Sequence, residues 1–432
     1  MRFKASQVAT AVGGELVGDD CWLEGATQDS RAATPGCLFV PIVAERDGHD
    51  FIAAALDAGA AGYLTQNGPG PGTAIRVADT RAALLALGAA ARGSLSGPVV
   101  GITGSVGKTS VKDLARAVLA RRGPVHASHR SFNNEIGVPL TLLGADPDGP
   151  VIVELGARHV GDIAALCEVA RPDIGVLTTV AVAHTGEFGS VGAVARTKGE
   201  LFDALPPDGC AVLNADVPEV VAQASRARSR VLTFGEAGEV RARGVVLDDN
   251  LRASFRLESP WGRAEVRLSV HGAHMVPNAL AAAAVGLVLD VPLADVAAGL
   301  AEGGASPWRM ALGSAPSGLR VINDAYNANP ASTAAALDAL AALPVTGRRV
   351  AVLGLMAELG DRAADEHRAI AQRTADLGVE LVAVGTDLYG IEPLADVDAA
   401  PAALDLGTDD AVLVKGSRVA GLEVLAERLL AG

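Results

Sequence analysis

The chain is short of aromatic rings, paired cysteines, long apolar runs and lysine, and each shortage excludes something. Aromatics make up 3% of the 432 residues, and the formal net charge is −14. Nucleic-acid binding needs the reverse, a basic face with rings on which bases stack, so no nucleic-acid partner is expected. Cys21, Cys37, Cys167 and Cys210 stand far apart with no C-x-x-C pair. That fits reduced thiols and argues against a zinc site. The longest apolar run, Ala279–Leu289, stops at Asp290 and is too short to span a bilayer. The N-terminal stretch MRFKASQVATAVGGEL lacks the apolar core of a signal peptide. A cytoplasmic protein without membrane insertion is expected.

Lysine is the sharpest shortage. Only Lys4, Lys108, Lys112, Lys198 and Lys415 occur, and the other 31 of the 36 basic residues are arginine. A retained lysine then marks a place where arginine would not serve. Lys108, Lys198 and Lys415 fall in motifs, whereas Lys4 and Lys112 read as ordinary surface residues.

What is abundant is alanine within a 50% hydrophobic content and a mean hydropathy of +0.31, which suits close-packed α/β layers. The length implies two or three domains. The most informative stretch is Pro98–Arg122. An apolar run (Val99, Val100, Ile102) enters a glycine-rich turn (Gly101, Gly104, Gly107) that ends in Lys108-Thr109-Ser110. Val111, Leu114, Ala115, Val118 and Leu119 then recur at helical spacing. Strand, glycine turn and helix N-terminus make a phosphate cradle, with backbone N–H groups and a lysine facing the anion and a hydroxyl for Mg²⁺. The usual G-x-x-x-x-G-K-[ST] spacing would need glycine where Ile102 stands. The narrower pattern here is T-G-S-x-G-K-T, and a nucleotide ligand follows from it.

Along the chain, residues 1–85 read as a small α/β unit. Its elements are a helix over Ser6–Val12, a strand over Gly36–Ile42 and short strands at Ala61–Leu64 and Ala74–Val77. Residues 86–310 read as a nucleotide-binding unit. In it a strand Val151–Val153 ends in Glu154, either a Mg²⁺ ligand or a solvated strand end. Ile174–Val180 leads to His184, ligand or structural, with Lys198 in a following helix. Val231–Val270 reads as an antiparallel insertion, and Asn278, before an alanine helix, can be a cap. Residues 311–432 alternate strand and helix with polar motifs at strand ends, a Rossmann-like pattern without G-x-G-x-x-G. The fold class is therefore α/β in three domains: a small N-terminal α/β domain, a central phosphate-loop parallel sheet with a β insertion, and a C-terminal Rossmann-like domain.

Eight motifs in order, TGSVGKTS, FNNEIGVPLTLL, VELGARHVGDI, AHTGEFGS with TKGE, HMVPNALAAAA, NDAYNANPAS, MAELG and VKGSR, give the whole chain a resemblance to the Mur ligase family. DAYNANP and NNEIGVP are similar to the branch that adds D-alanyl-D-alanine to UDP-N-acetylmuramoyl-tripeptide. The resemblance implies an ATP-dependent amide ligase of peptidoglycan precursor synthesis, a monomer, working through an acyl phosphate. Gly104, Ser105, Gly107, Lys108, Thr109 and Ser110 would hold ATP, with Lys108 on the β/γ-phosphates. Thr109 and Glu154 would bind one Mg²⁺, and Glu154, His184 and a carbamylated Lys198 a second. Lys108, His184 and Lys198 would be the catalytic set. Asn278 would contact the base, Arg309 and Asp324 the phosphates and ribose, and Tyr326, Asn327 and Asn329 the closing cleft. Ser30 and Arg31 would take the uridine diphosphate, and Asn133 and Asn134 the rest of the acyl substrate.

Leu355, Asn323 and Ala325 depart from the family pattern, and the 44–51 loop is one residue short. None of these touches the phosphate or metal residues. Two other readings stand beside this one: a sister ligase (tripeptide-forming, folylpolyglutamate- or cyanophycin-like), or a nucleotide-binding regulator that has lost ligation.

Overall fold

The computed structural model describes residues 1–181 and 190–432. Its centre is a six-stranded parallel sheet whose order places Val99–Thr103 between Ile174–Leu177 and Val151–Glu154. All three strands are fully buried, as expected of a parallel sheet covered on both faces. Their C-terminal ends therefore meet at one edge, where the chain turns polar. That edge is where ligands bind in open α/β sheets.

The glycine turn after Thr103 feeds the helix Lys108–Leu119, which buries Val111, Leu114, Ala115, Val118 and Leu119. Against it lies the helix Met275–Val288, longer than the alanine run alone. It is apolar on nearly every face, because it is enclosed by the phosphate-loop helix, the parallel sheet and a second sheet. Alanine and glycine let these helices approach closely. A Cβ on Gly299, in the adjoining helix Leu293–Glu302, would lie 2.6 Å from Val118 Cα.

The second sheet is antiparallel, with strands Arg241–Leu247, Arg252–Ser259 and Gly262–His271. It is shorter than the expected insertion over 231–270. The strand Arg230–Phe234 pairs in parallel with Cys210–Asn214 and forms the edge of the central sheet instead. Periodicity could not separate these, since burial alternates along the edge strand as it does along the insertion strands Arg252–Ser259 and Gly262–His271.

The N-terminal region holds a five-stranded sheet. Its expected strand Gly36–Ile42 narrows to Leu38–Phe39. The helix Thr80–Gly93, capped by Asp79, runs unbroken through residue 85, so a division there would cut an element. Arg92 fastens its end by donating to Ala170 O (2.9 Å) and to Asp173 Oδ2 (3.0 Å). The last region is a five-stranded sheet, parallel except for its edge strand Ala311–Ser314. Its strand end Lys415, and Asp324 just past the strand Arg320–Asn323, line the cleft at the central sheet's ligand edge. All four cysteines are free. Among the described residues no helix is long and apolar enough to cross a membrane.

A Gly299→Ala substitution should lower the thermal midpoint, because the clash is with backbone that cannot swing away and overpacking costs about 1–3 kcal/mol. Gly304→Ala, where an added Cβ meets nothing within 4 Å among the described residues, is the control. Equal midpoints in a calorimetric scan would contradict this account of the helix contact.

Candidate active site

The phosphate loop is held in shape by the end of the neighbouring strand. Thr178 Oγ1 donates to Val106 O (2.6 Å), and Ser105 N–H donates to Thr179 O (2.8 Å), which pins the loop to the neighbouring strand end. Gly104 sits at φ +151°, and a Cβ there would fall 1.9 Å from Thr178 Oγ1. Gly107 sits at φ +89°, where a Cβ would meet Asn278 Oδ1 at 2.6 Å. Both glycines are therefore required by geometry. Lys108 Nζ donates back to Gly104 O at 2.7 Å, so its ammonium lies over the loop. Burial holds its pKa below the usual lysine value, against the pull of Glu154.

Glu154 ends its strand with 0% exposure, which excludes the solvated strand end. Its Oε2 accepts a 3.3 Å hydrogen bond from Thr109 Oγ1, while Oε1 is buried with no hydrogen-bond partner among the described residues. Desolvation pushes its pKa above the ordinary carboxylate range, with Lys112, Lys108 and Arg309 pulling the other way. Arg309 donates to Thr109 Oγ1 and to Ser131 Oγ, each at 3.1 Å, and lies 4.3 Å over the Tyr326 ring. The Thr109 hydroxyl and the Glu154 Oε1, which has no hydrogen-bond partner among the described residues, are oxygen ligands that suit Mg²⁺, which takes few protein ligands and completes its shell with phosphate and water. Among the described residues no cluster of three His, Cys, Asp or Glu could hold a metal by itself.

Lys198 is 3% exposed in the helix Val191–Asp203 and lines the same cleft. Burial, with a smaller repulsion from Lys108, pulls its pKa down to about 7. Near neutrality a large fraction is then the free amine. His184 lies outside the described residues.

These groups share a cleft of about 1150 Å³ with Asn133, Asn134, Ser110, Asn278, Asp324, Tyr326, Asn327 and Asn329. Asn278 is no helix cap: it stands in the first turn of Met275–Val288, against Gly107. Asp324 Oδ2 accepts from Lys415 Nζ at 2.5 Å, and the same ammonium donates to Asn327 O at 2.8 Å. Asn329 spends its side-chain oxygen on Ser332 N–H, capping the helix Pro330–Ala342. Ser30 and Arg31 do not line this cleft. Arg31 is exposed and paired with Asp29 at 2.8 Å.

Among the further cleft residues not singled out as site residues from the sequence are Ser131, His274, Glu358 and Lys415. Lys112 is a correction. Expected on the surface, it is 3% exposed, with Nζ donating to Ser128 O and Arg130 O. The lysine shortage was the signal that could have found it, together with its place one helical turn after Lys108.

Residues 102–286 match the Mur ligase middle domain, and residues 308–418 the Mur ligase, glutamate ligase domain. The chain is 41% identical over 467 residues to the UDP-N-acetylmuramoyl-tripeptide–D-alanyl-D-alanine ligase of Mycobacterium tuberculosis, covering 93% of this chain and 91% of that protein. Its fold is similar to that of MurF from Acinetobacter baumannii (TM-score 0.89, 30% identity, 100% of this chain and 99% of that one). It is also similar to MurF ligase from Thermotoga maritima in complex with ADP (TM-score 0.78, 27% identity, 94% and 97% covered). With both domains matched and relatives of this identity aligned over nearly their whole length, the chain belongs to the Mur ligase family, in its UDP-N-acetylmuramoyl-tripeptide–D-alanyl-D-alanine ligase branch.

Proposed function

We propose that this chain joins D-alanyl-D-alanine to UDP-N-acetylmuramoyl-tripeptide at the expense of ATP, forming ADP and phosphate in peptidoglycan precursor synthesis. The observation that carries the reading is the meeting, in one cleft, of the phosphate loop, the buried carboxylate Glu154 and the C-terminal residues Asp324, Tyr326, Asn327 and Asn329. We place the reaction in the cytoplasm, with the chain as a monomer.

The triphosphate lies on the backbone N–H groups of Gly104–Thr109 and on the N-terminus of the phosphate-loop helix, with Lys108 and Arg309 opposing its charge. Ser105 and Ser110 flank it. Asn278, pressed against Gly107, reaches the base, and Asp324 the ribose side. A tripeptide carboxylate oxygen, steered by Asn133 and Asn134, attacks the γ-phosphorus. The bond to the β-phosphate oxygen breaks, giving ADP and an acyl phosphate. The dipeptide amine then attacks the carbonyl carbon, and the tetrahedral adduct expels phosphate and loses the amine proton. Closure of Tyr326, Asn327 and Asn329 over the cleft keeps water from the acyl phosphate. Ser30 and Arg31, outside the cleft, would take the diphosphate end of the long substrate.

Thr109 and Glu154 would hold Mg²⁺, which when bound offsets the repulsion between carboxylate and triphosphate. A second ion would lie on Glu154, His184 and a carbamylated Lys198. The carbamate forms when the neutral Lys198 amine adds to CO₂ and releases a proton, converting a cation to an anion. Arginine could not do this, since it stays protonated.

Phosphate release should require ATP, the UDP-tripeptide and D-alanyl-D-alanine together. Release with a single amino acid as acceptor would move the chain to a sister ligase, and none with any pair would favour a regulator.

Lys198→Ala should lose most activity and regain part of it with added acetate; unchanged activity would sink the carbamate. Because the amine is mostly neutral only above its pKa of about 7, reactivation of CO₂-stripped protein at a fixed concentration of dissolved CO₂ should slow below pH 7 and level off above it. A reactivation rate still rising past pH 9 would point to an ordinary lysine.

A further inference from the structure

The sequence gives Lys112 no role, yet the structure makes it a junction. It stands one turn into the phosphate-loop helix, and its ammonium is almost wholly withdrawn from water. Two of its protons go to backbone carbonyls on either side of His129, Ser128 O at 2.9 Å and Arg130 O at 2.7 Å. Between them the backbone reaches φ +51° at Arg130, a conformation an arginine keeps only where its surroundings impose it. The remaining charge faces Asp113 Oδ1 at 3.3 Å and Glu154 Oε1 at 3.6 Å.

Three cleft segments hang on this point. The loop held by Lys112 continues to Ser131, Asn133 and Asn134, and Gly156 N–H, just past Glu154, donates to Asn133 O at 2.7 Å. Ser128 Oγ accepts the Glu154 backbone N–H at 3.1 Å. Asp113 Oδ2 accepts from both the N–H (2.8 Å) and the hydroxyl (2.6 Å) of Ser306, which sets the approach of Arg309. The distance to Glu154 matters as much as the bonds. At 3.6 Å the ammonium supplies charge without occupying Oε1, which has no hydrogen-bond partner among the described residues. A guanidinium would fork onto the carboxylate; a compact ammonium with three separate donors does not need to.

We propose that Lys112 is a positioning residue that couples Glu154 to the loop of Ser131, Asn133 and Asn134, so that one ammonium sets both the metal-binding and the tripeptide-binding halves of the cleft. The proposal rests on the ligase reading above.

The test compares wild type, Lys112→Met and Lys112→Gln as full-length proteins. The readouts are KM for the UDP-tripeptide, the Mg²⁺ concentration giving half-maximal rate, ADP binding by calorimetry with and without Mg²⁺, and the thermal midpoint. Lys112→Met should raise both the tripeptide KM and the half-saturating Mg²⁺ by about tenfold or more, the usual scale for losing a group that orients a metal ligand. ADP affinity without Mg²⁺ should stay as in wild type. Lys112→Gln keeps a donor for the carbonyls but no charge, so it should recover most of the tripeptide KM and little of the Mg²⁺ response. Variants that lose only thermal midpoint or active fraction, with unchanged KM and Mg²⁺ response, would reduce Lys112 to a structural residue. If Lys112→Met does not fold, the split between KM and Mg²⁺ response in Lys112→Gln decides alone. A wild type inert with tripeptide and dipeptide would instead refute the ligase reading, and Mg²⁺-dependent ADP binding would still test Lys112.

Discussion

Glu154 is a carboxylate with no exposure at the end of a buried strand, and such a charge survives only if cations are brought to it. Lys108 and Lys112 come from the phosphate-loop helix, and Arg309 from the segment leading into the C-terminal sheet. The same buried charge is thus answered from two distant parts of the chain. The Ser131 loop, the Asp113–Ser306 link and the Arg309–Tyr326 stack follow from that convergence. Desolvation still outweighs these cations at Glu154. Among the described residues one of its oxygens has no hydrogen-bond partner, a condition that a divalent ion would relieve.

The same economy explains the use of lysine. Lys108, Lys112, Lys198 and Lys415 all lie in or beside the cleft, each in a setting where a compact ammonium differs from a guanidinium. Lys415 serves Asp324 and a backbone carbonyl at once. Lys198 is shifted far enough to lose its proton near neutrality, which arginine does not do. In an acidic, arginine-rich protein the positive groups that matter are local.

Packing serves the site from behind. The helix Met275–Val288 must lie against the phosphate-loop helix for Asn278 to reach Gly107, and small residues at their contact permit this. Alanine richness, which looks like mere hydrophobicity in the composition, is a condition for the wall of the cleft that Asn278 forms.

The sequence by itself determined the phosphate loop, the order of strands and helices around it, and the carboxylate Glu154 at a strand end. Local pattern carries these: a glycine turn before Lys-Thr and helical spacing have few other meanings. Only the tertiary structure decided which residues share the cleft. Lys112 turned inward because the Ser128–Arg130 carbonyls and Glu154 lie there, and Asn278 proved to face Gly107 because two helices touch. The strand at Arg230–Phe234 joined the parallel sheet because Cys210–Asn214 offered it an edge. Such outcomes depend on contacts between residues far apart in the chain, and no window of sequence contains them.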